Sequence, residues 1–220
     1  TFQDYPQAIL MEEFKKDTWS AINRGISTNP VLNAFQEVVR QYGVREEHIA
    51  SFLASMEADL TIKDHDRLSY NNYIFGSAEA VGLMCLHVFV KGDETRFKQL
   101  EMPARKLGSA FQKINFLRDI REDNQALKRQ YFPELQQGEW ITEPIKNKIE
   151  SEISEDFTEA LEGIRRLKGR VRLGVWVAYV YYVRLLNKIR CITSQELMDK
   201  RIRVSNPAKV MLLFWTTVRF

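Results

Sequence analysis

Residues 108–123 read Gly-Ser-Ala-Phe-Gln-Lys-Ile-Asn-Phe-Leu-Arg-Asp-Ile-Arg-Glu-Asp. On a helix turning about 100° per residue, Gln112, Asn115, Asp119 and Asp123 share an arc of about 80°. Gly108 lies on the same arc, so the foot of that ridge has no bulk. Phe111, Ile114 and Leu117 flank it. Four polar side chains on one narrow face are costly to bury unless something satisfies them. Two carboxylates one turn apart, with an amide above them, make an oxygen-rich strip. Hard divalent cations, Mg²⁺ above all, bind such strips and share their shell with substrate phosphates. A solvated charged face laced by i,i+4 pairs, such as Arg118 with Glu122, is the commoner reading of such spacing. Spacing alone leaves both open.

The same period runs outward along the chain. Ile49, Phe52, Leu53, Met56 and Leu60 form one apolar stripe, and Ile153, Phe157, Leu161 and Ile164 another; Leu127 continues the stripe of Ile114 and Leu117. This is a period of 3.6, not of two. Helix punctuation agrees. Asn29-Pro30 is an N-cap followed by proline at the first helical position, and Gly43 closes that segment. Thr142-Glu143-Pro144 opens a helix that Gly169 is expected to close. Thr193 with Glu196 has capping-box spacing, and Asn206-Pro207 repeats the Asn-Pro start. Residues 171–183, rich in Val, Tyr and Trp, read as strand or helix. Val175, Ala178, Tyr182, Leu185 and Ile189 keep helical spacing, which predicts a helix apolar all round, in the middle of a bundle. The expectation is an all-α chain of roughly eight helices in one domain, 1–220. The longest irregular stretch is 128–141, with Pro133 and Gly138, and a loop of that length is often functional.

Composition narrows the classes. The 220 residues are 45% apolar and 28% charged, with six Pro and ten Gly, which excludes disorder, collagen-like repeats and disulfide miniproteins. Cys85 and Cys191 make neither a disulfide framework nor a zinc pattern, so a reducing compartment is the default. The net charge of +3 suits an anionic small molecule or acidic membrane surface and is too weak to argue for nucleic acid. The longest apolar run, 173–183, is short of the ~20 residues of a bilayer span. No Rossmann fingerprint or Walker loop is present. His48, His65 and His87 lack zinc spacing.

Other constellations stand beside the ridge. In residues 70–84, Gly76, Ser77, Ala78, Ala80 and Gly82 give a helix almost without side chains along one side, so a neighbouring helix or a long ligand must press close. Interior glycines cost ~1 kcal/mol each relative to alanine. Asp59 sits on the edge of an apolar stripe near a helix C-terminus, where the dipole favours a partner cation; a solvent-facing acid is the plainer reading. Arg129, Tyr131, Phe132 and Pro133 enter the long loop. Tyr179, Tyr181 and Tyr182 form a cluster of a kind more often core than site.

In order along the chain, these residues resemble the squalene/phytoene synthase family, the head-to-head prenyl synthases, with bacterial phytoene synthases nearest in look. Asn115 to Asp123 is similar to the family's second aspartate-rich motif, N-[IL]-[IL]-R-D-x-x-E-D, with Gln112 in the preceding Gln position. Residues 129–133 resemble R-x-Y-[LF]-P. Residues 73–82 resemble Y-x-x-x-[VI]-A-G-x-V-G, with Glu79 where Gly is common. Residues 56–60 resemble M-x-x-D-L. Residues 1–5 resemble the stretch that follows the first aspartate-rich motif, D-E-x-V-D, so the chain reads as lacking that motif and the N-terminal helices carrying it.

The resemblance implies an isoprenoid-synthase-type helical bundle enclosing a central cavity. It implies head-to-head condensation of two prenyl diphosphates, two geranylgeranyl diphosphates giving phytoene in carotenoid biosynthesis. The alternatives are a squalene or dehydrosqualene synthase using farnesyl diphosphate, and a non-catalytic scaffold of the same fold. Metal binding falls to Asp119 and Asp123, with Asn115 and Glu122 in support, for Mg²⁺ or Mn²⁺; NADPH enters only in squalene-type enzymes. Tyr73 matches the tyrosine near the reacting carbons. Asp59, Gln112, Asn115, Arg118, Arg129, Tyr131 and Tyr182 are the expected substrate contacts, with Arg201 and Lys209 as outer diphosphate candidates. The small-residue helix 76–82 and residues 175–182 become walls of a tail tunnel. A cytoplasmic enzyme with peripheral membrane contact and no obligate protein partner is expected.

Overall fold

A computed structural model describes residues 6–125, 128–135, 139–199 and 201–218. Among them are ten α-helices and one π-helical turn: α1 (Gln7–Arg24), α2 (Pro30–Tyr42), α3 (Glu46–Thr61), α4 (Arg67–Ile74), the π turn (Phe75–Glu79), α5 (Ala80–Phe89), α6 (Glu94–Gln125), α7 (Glu143–Arg166), α8 (Gly169–Arg190), α9 (Ser194–Asp199) and α10 (Asn206–Val218). No helix among the described residues is long and apolar enough to cross a membrane.

The caps explain several boundaries. The Asn29 side chain accepts from the Val31 and Leu32 amides, and α2 ends at Gly43 with φ 63°. Asp66 accepts from the Ser69 amide at 2.7 Å and starts α4. The Thr193–Glu196 box forms both ways: the Thr193 amide donates to Glu196 at 3.0 Å, and the Glu196 amide donates to Thr193 Oγ1 at 3.1 Å. Thr142-Glu143-Pro144 opens α7 as its sequence predicts, with Thr142 at the N-cap and proline in the first turn. One expectation fails: helix α7 ends at Arg166, so Gly169, at φ 56°, opens α8 instead of closing α7.

Helix α6 is the central element, in contact with α4, the π turn, α5, α7, α8 and α9. Its Phe97, Ala110, Ile114 and Leu117 are fully buried. Ile153, Phe157 and Ile164 of α7 bury the face read from the sequence. The α6–α7 seam carries a buried carboxylate. Asp156 accepts from Lys106 Nζ at 3.0 Å, Ser109 Oγ at 2.9 Å and Lys113 Nζ at 2.8 Å. Gly163 of α7 makes room for the Pro103 ring inside α6; a Cβ there would overlap it.

The small-residue segment packs as tightly as its composition suggests. A Cβ on Gly76 would run into the Ser51 carbonyl of α3, and one on Gly108 would lie 2.6 Å from the Ala78 carbonyl. The π turn was not legible in the sequence. Helix α8 corrects a further expectation. Only Leu185, Leu186 and Ile189 are buried, and residues 175–183 are half-buried. It is therefore a wall with an open side, not a helix buried all round.

Candidate active site

The ridge of α6 stands at one end of an open cavity of about 580 Å³. That lies within the ~300–1,000 Å³ common for ligand pockets. The cavity's floor and walls come from the π turn and α5 (Ser77, Ala78, Gly82), from α6 and from α8 (Val175, Ala178). Nearly all of this lining is apolar. Asn115 and Tyr182 mark the end where polar groups begin. The Tyr182 hydroxyl donates to Asn115 Oδ1 at 3.3 Å, and its ring stacks on Phe111 with centroids 3.9 Å apart. The helix without side chains is thus both a tight helix contact and a cavity wall.

Beyond Asn115 the acids follow. Asp119 accepts from Arg118 through Nε at 2.9 Å and Nη2 at 2.5 Å, and from Arg201 Nε at 2.8 Å. Arg201 also reaches Glu122 at 3.3 Å, and Glu122 is half-exposed. The expected Arg118–Glu122 pair is replaced by the Arg118–Asp119 clasp, which raises the Arg118 pKa through that hydrogen bond. Asp123 has no ion pair among the described residues. Burial first, then the Asp119 carboxylate, push its carboxyl up to about 7, with Arg129 opposing. Gln112 is half-buried on the same helix.

A second set of groups closes on Asp123 from α3, α4 and the 128–135 segment. Tyr73 Oη donates to Asp59 Oδ1 at 2.8 Å. Arg129 Nη2 donates to the Asp59 carbonyl at 2.6 Å, Nη1 approaches Asp59 Oδ1 at 3.5 Å, and Nη1 reaches Tyr131 Oη at 3.4 Å. The Arg129 amide donates to the Asp123 carbonyl at 2.8 Å. Asp59 is therefore held by partners, not pointed at bulk water. Tyr131 stacks on Phe116 at 4.1 Å and 10°. Desolvation, the largest cause for each, pushes both phenols up, so Tyr73 and Tyr131 stay protonated.

Two residues packed against these phenols escaped the sequence reading. His65 stacks on Tyr131 and tilts against Tyr73, at 5.5 and 5.2 Å, and its amide joins the Gln130 carbonyl at 3.3 Å. Its lack of zinc spacing had set it aside, and no local pattern marks it. Phe116, buried beneath the Tyr131 ring, carried no assignment in the sequence. Lys209 lies 5.9 Å from the Tyr181 ring, and no ion pair among the described residues joins it to the acids. Tyr179 packs on Phe157 and Trp176 and belongs to the wall. Residues 1–5, Leu127, Gly138 and the C-terminal pair 219–220 lie outside the described residues.

No three His, Cys, Asp or Glu side chains among the described residues converge into a metal cage. The donor set nonetheless fits Mg²⁺, which is typically held by one or two carboxylates plus substrate phosphates. Asp123 is repelled by Asp119, Glu122 and Asp59, a surplus of negative charge that a cation relieves. Guanidinium groups now serve that purpose at Asp119.

Residues 3–138 match the family model for squalene/phytoene synthase. A presqualene diphosphate synthase of Rhodopseudomonas palustris is 30% identical over 120 residues, 54% of this chain and 41% of that protein. A phytoene synthase of Mycobacterium tuberculosis is 35% identical over 130 residues, 54% of this chain and 40% of that protein. The chain thus spans about two fifths of the length of these curated relatives. Two crystal structures share the fold. The squalene synthase HpnC of Alicyclobacillus acidocaldarius has a TM-score of 0.72 at 16% identity, covering 86% of this chain and 76% of that one. A dehydrosqualene synthase in complex with ligand has a TM-score of 0.76 at 20% identity, covering 95% and 77%. A fold match over 95% of the chain extends past residue 138, where the family-model match ends.

Proposed function

The chain belongs to the squalene/phytoene synthase family, and from that premise we propose that it takes part in joining two prenyl diphosphates head to head, with two C20 geranylgeranyl diphosphates giving phytoene. The observation that carries the reading is the junction of an oxygen-rich ridge with an apolar cavity: Asn115, Asp119 and Asp123 begin where the apolar lining ends.

In this reading the cavity takes the hydrocarbon tails, each buried CH₂ contributing ~0.8 kcal/mol. Asp119 and Asp123 would hold Mg²⁺, with Asn115 and Glu122 in support. The bound cation would offset charge growing on the departing diphosphate. Arg118, Arg129 and Arg201 are placed to exchange a carboxylate or carbonyl partner for diphosphate oxygens. When the allylic C1–O bond breaks, its electron pair leaves with the diphosphate. The apolar walls exclude water from the carbocation. The rings of Tyr73 and Tyr131 present π-faces that favour a cation. Attack by the second substrate's alkene and loss of a proton give a cyclopropylcarbinyl diphosphate, and a second ionisation leads to product. Tyr73, protonated and held by Asp59, does not serve as a free base.

The test is product analysis. The protein at its full natural length is incubated with labelled C20 and C15 diphosphates and Mg²⁺. A C40 hydrocarbon supports the phytoene reading. A C30 product replaces it with the squalene type, in which case a requirement for NADPH separates squalene from dehydrosqualene. A folded protein that turns over neither is a scaffold.

A further inference from the structure

The cavity has a second end. There its lining includes Phe89, Leu100, Leu167 and Arg170. Cys85, Arg170 and Gly174, all exposed residues, mark where it opens. The chain at this opening reads Arg165-Arg166-Leu167-Lys168-Gly169-Arg170-Val171-Arg172: five cations and no acid in eight residues. Arg165, Arg166, Lys168 and Arg170 are exposed. Arg166 fastens this corner to α6 by donating to the Gln99 carbonyl at 3.1 Å and Gln99 Oε1 at 3.2 Å. Arg165 has one acidic partner, Glu162, on the exposed surface.

Local helix energetics call for part of this charge: Arg165 and Arg166 lie in the last turn of α7, where the dipole favours cations. Helix α8 starts at Gly169 with Lys168 at its N-cap and no side-chain cap. Cations there meet the positive end of the helix dipole, which favours acids. Lys168 and Arg170, both exposed, therefore carry a charge that α8 itself does not favour. Exposed cations around an apolar opening match the chemistry of an anionic lipid surface: headgroups meet the Arg and Lys side chains, and acyl chains are continuous with the cavity. Each such cation near an anionic bilayer contributes ~1 kcal/mol. An acidic protein would satisfy the charges and leave the apolar opening without a purpose.

We propose that residues 165–172, at the α7–α8 corner, dock the protein on an anionic bilayer with the cavity opening turned toward the lipid. The docked orientation gives tails a path between bilayer and cavity without crossing water. The surface stands on charge and position, and rests on the preceding functional reading only for what passes through the opening.

Vesicle binding tests it without catalysis, so its failure and a failure of the synthase reading are separate results. The full protein is mixed with sucrose-loaded vesicles of phosphatidylcholine alone or with a third phosphatidylglycerol, and sedimented. The expected result is partition onto the anionic vesicles at least about tenfold above the neutral ones, lost in high salt. Arg165→Glu with Lys168→Glu should abolish the difference. An acid at 168 favours the start of α8, but an acid at 165 opposes the end of α7 and loses the Glu162 pair, so unchanged circular dichroism of the variant is required; Arg165→Gln with Lys168→Gln is the milder companion, and Lys16→Glu on α1 the control. Equal partition of wild type on both vesicle types overturns the proposal. So does wild-type partition by the charge-reversed protein, or equally tight capture by polyglutamate beads.

Discussion

The phenol of Tyr73 is tied to the carboxylate of Asp59, Oη donating to Oδ1 at 2.8 Å across fourteen positions of chain. Asp59 in turn meets Arg129 through both its carbonyl and its carboxylate. One acid thus fixes a buried ring of the core and a guanidinium whose own amide meets the end of the ridge at the Asp123 carbonyl.

Tyr73→Phe should keep the ring against Phe116 and Tyr131 and lose only the hydroxyl. Stability should fall by about 1 kcal/mol in a urea titration. Turnover should fall by about a hundredfold if the phenol dipole aids proton movement, with pyrophosphate affinity unchanged. Equal turnover would make Tyr73 a wall residue.

Asp123 makes the site pH-dependent. Its folded pKa of about 7 exceeds the unfolded value of about 4. Its contribution to stability is therefore full below about pH 4 and is lost as pH rises through about 7. Cation binding needs the ionised form, so Mn²⁺ affinity should climb with pH and level off above about 7. Titration calorimetry in two buffers of different ionisation enthalpy should show a released proton near pH 6, and Asp123→Asn should remove it.

Asp119 is masked by two guanidiniums. Arg201→Ala should raise Mn²⁺ affinity in the absence of diphosphate, as Asp119 and Glu122 lose a competitor, and weaken pyrophosphate binding in its presence. Asp119→Ala and Asp123→Ala should each abolish turnover with helicity intact by circular dichroism. Surviving activity in either would move the metal site elsewhere.

The α6–α7 seam should be brittle. Asp156→Ala removes the buried acid that Lys106 and Lys113 share and leaves them Glu159 and Glu152 on the outer side. Breaking a buried pair from one side costs up to about 3–5 kcal/mol; with those partners kept, the loss should fall below that range and still be read as a drop in melting temperature. Asp156→Asn, which keeps the shape, should cost less.

Gly174 faces open space in the cavity, with nothing within 4 Å of a built Cβ. Gly174→Phe should fold, with the helix gaining up to about 1 kcal/mol from loss of glycine. It should shorten the accepted tail, moving the ratio of C40 to C30 product downward in a competition assay. An unchanged ratio would place the tails elsewhere.

The ridge was legible because it is local: Asn115, Asp119 and Asp123 fall on one face by helix geometry alone. The Asn29 cap and the Thr193–Glu196 box were legible for the same reason. What joins the ridge to the rest was not. Arg201 is far along the chain from Asp119, and Arg129 is seventy positions from Asp59; no periodicity encodes either meeting. The open side of α8 was misread because a helix wall facing a cavity carries the same apolar residues as a buried helix. His65 had no signal, since an imidazole stacked between phenols follows no spacing rule.

The π turn has an evolutionary reading. A π turn holds one more residue than the α turn it replaces. Removing one residue from 75–79 would let that turn relax to an α turn, and the residues on either side would keep nearly the same facing. Tyr73 would stay aimed at Asp59, while the stretch of cavity wall at Ser77 and Ala78 would be redrawn. A one-codon deletion here is therefore absorbed locally, whereas the same deletion within α5 would turn the phenol away by about 100°.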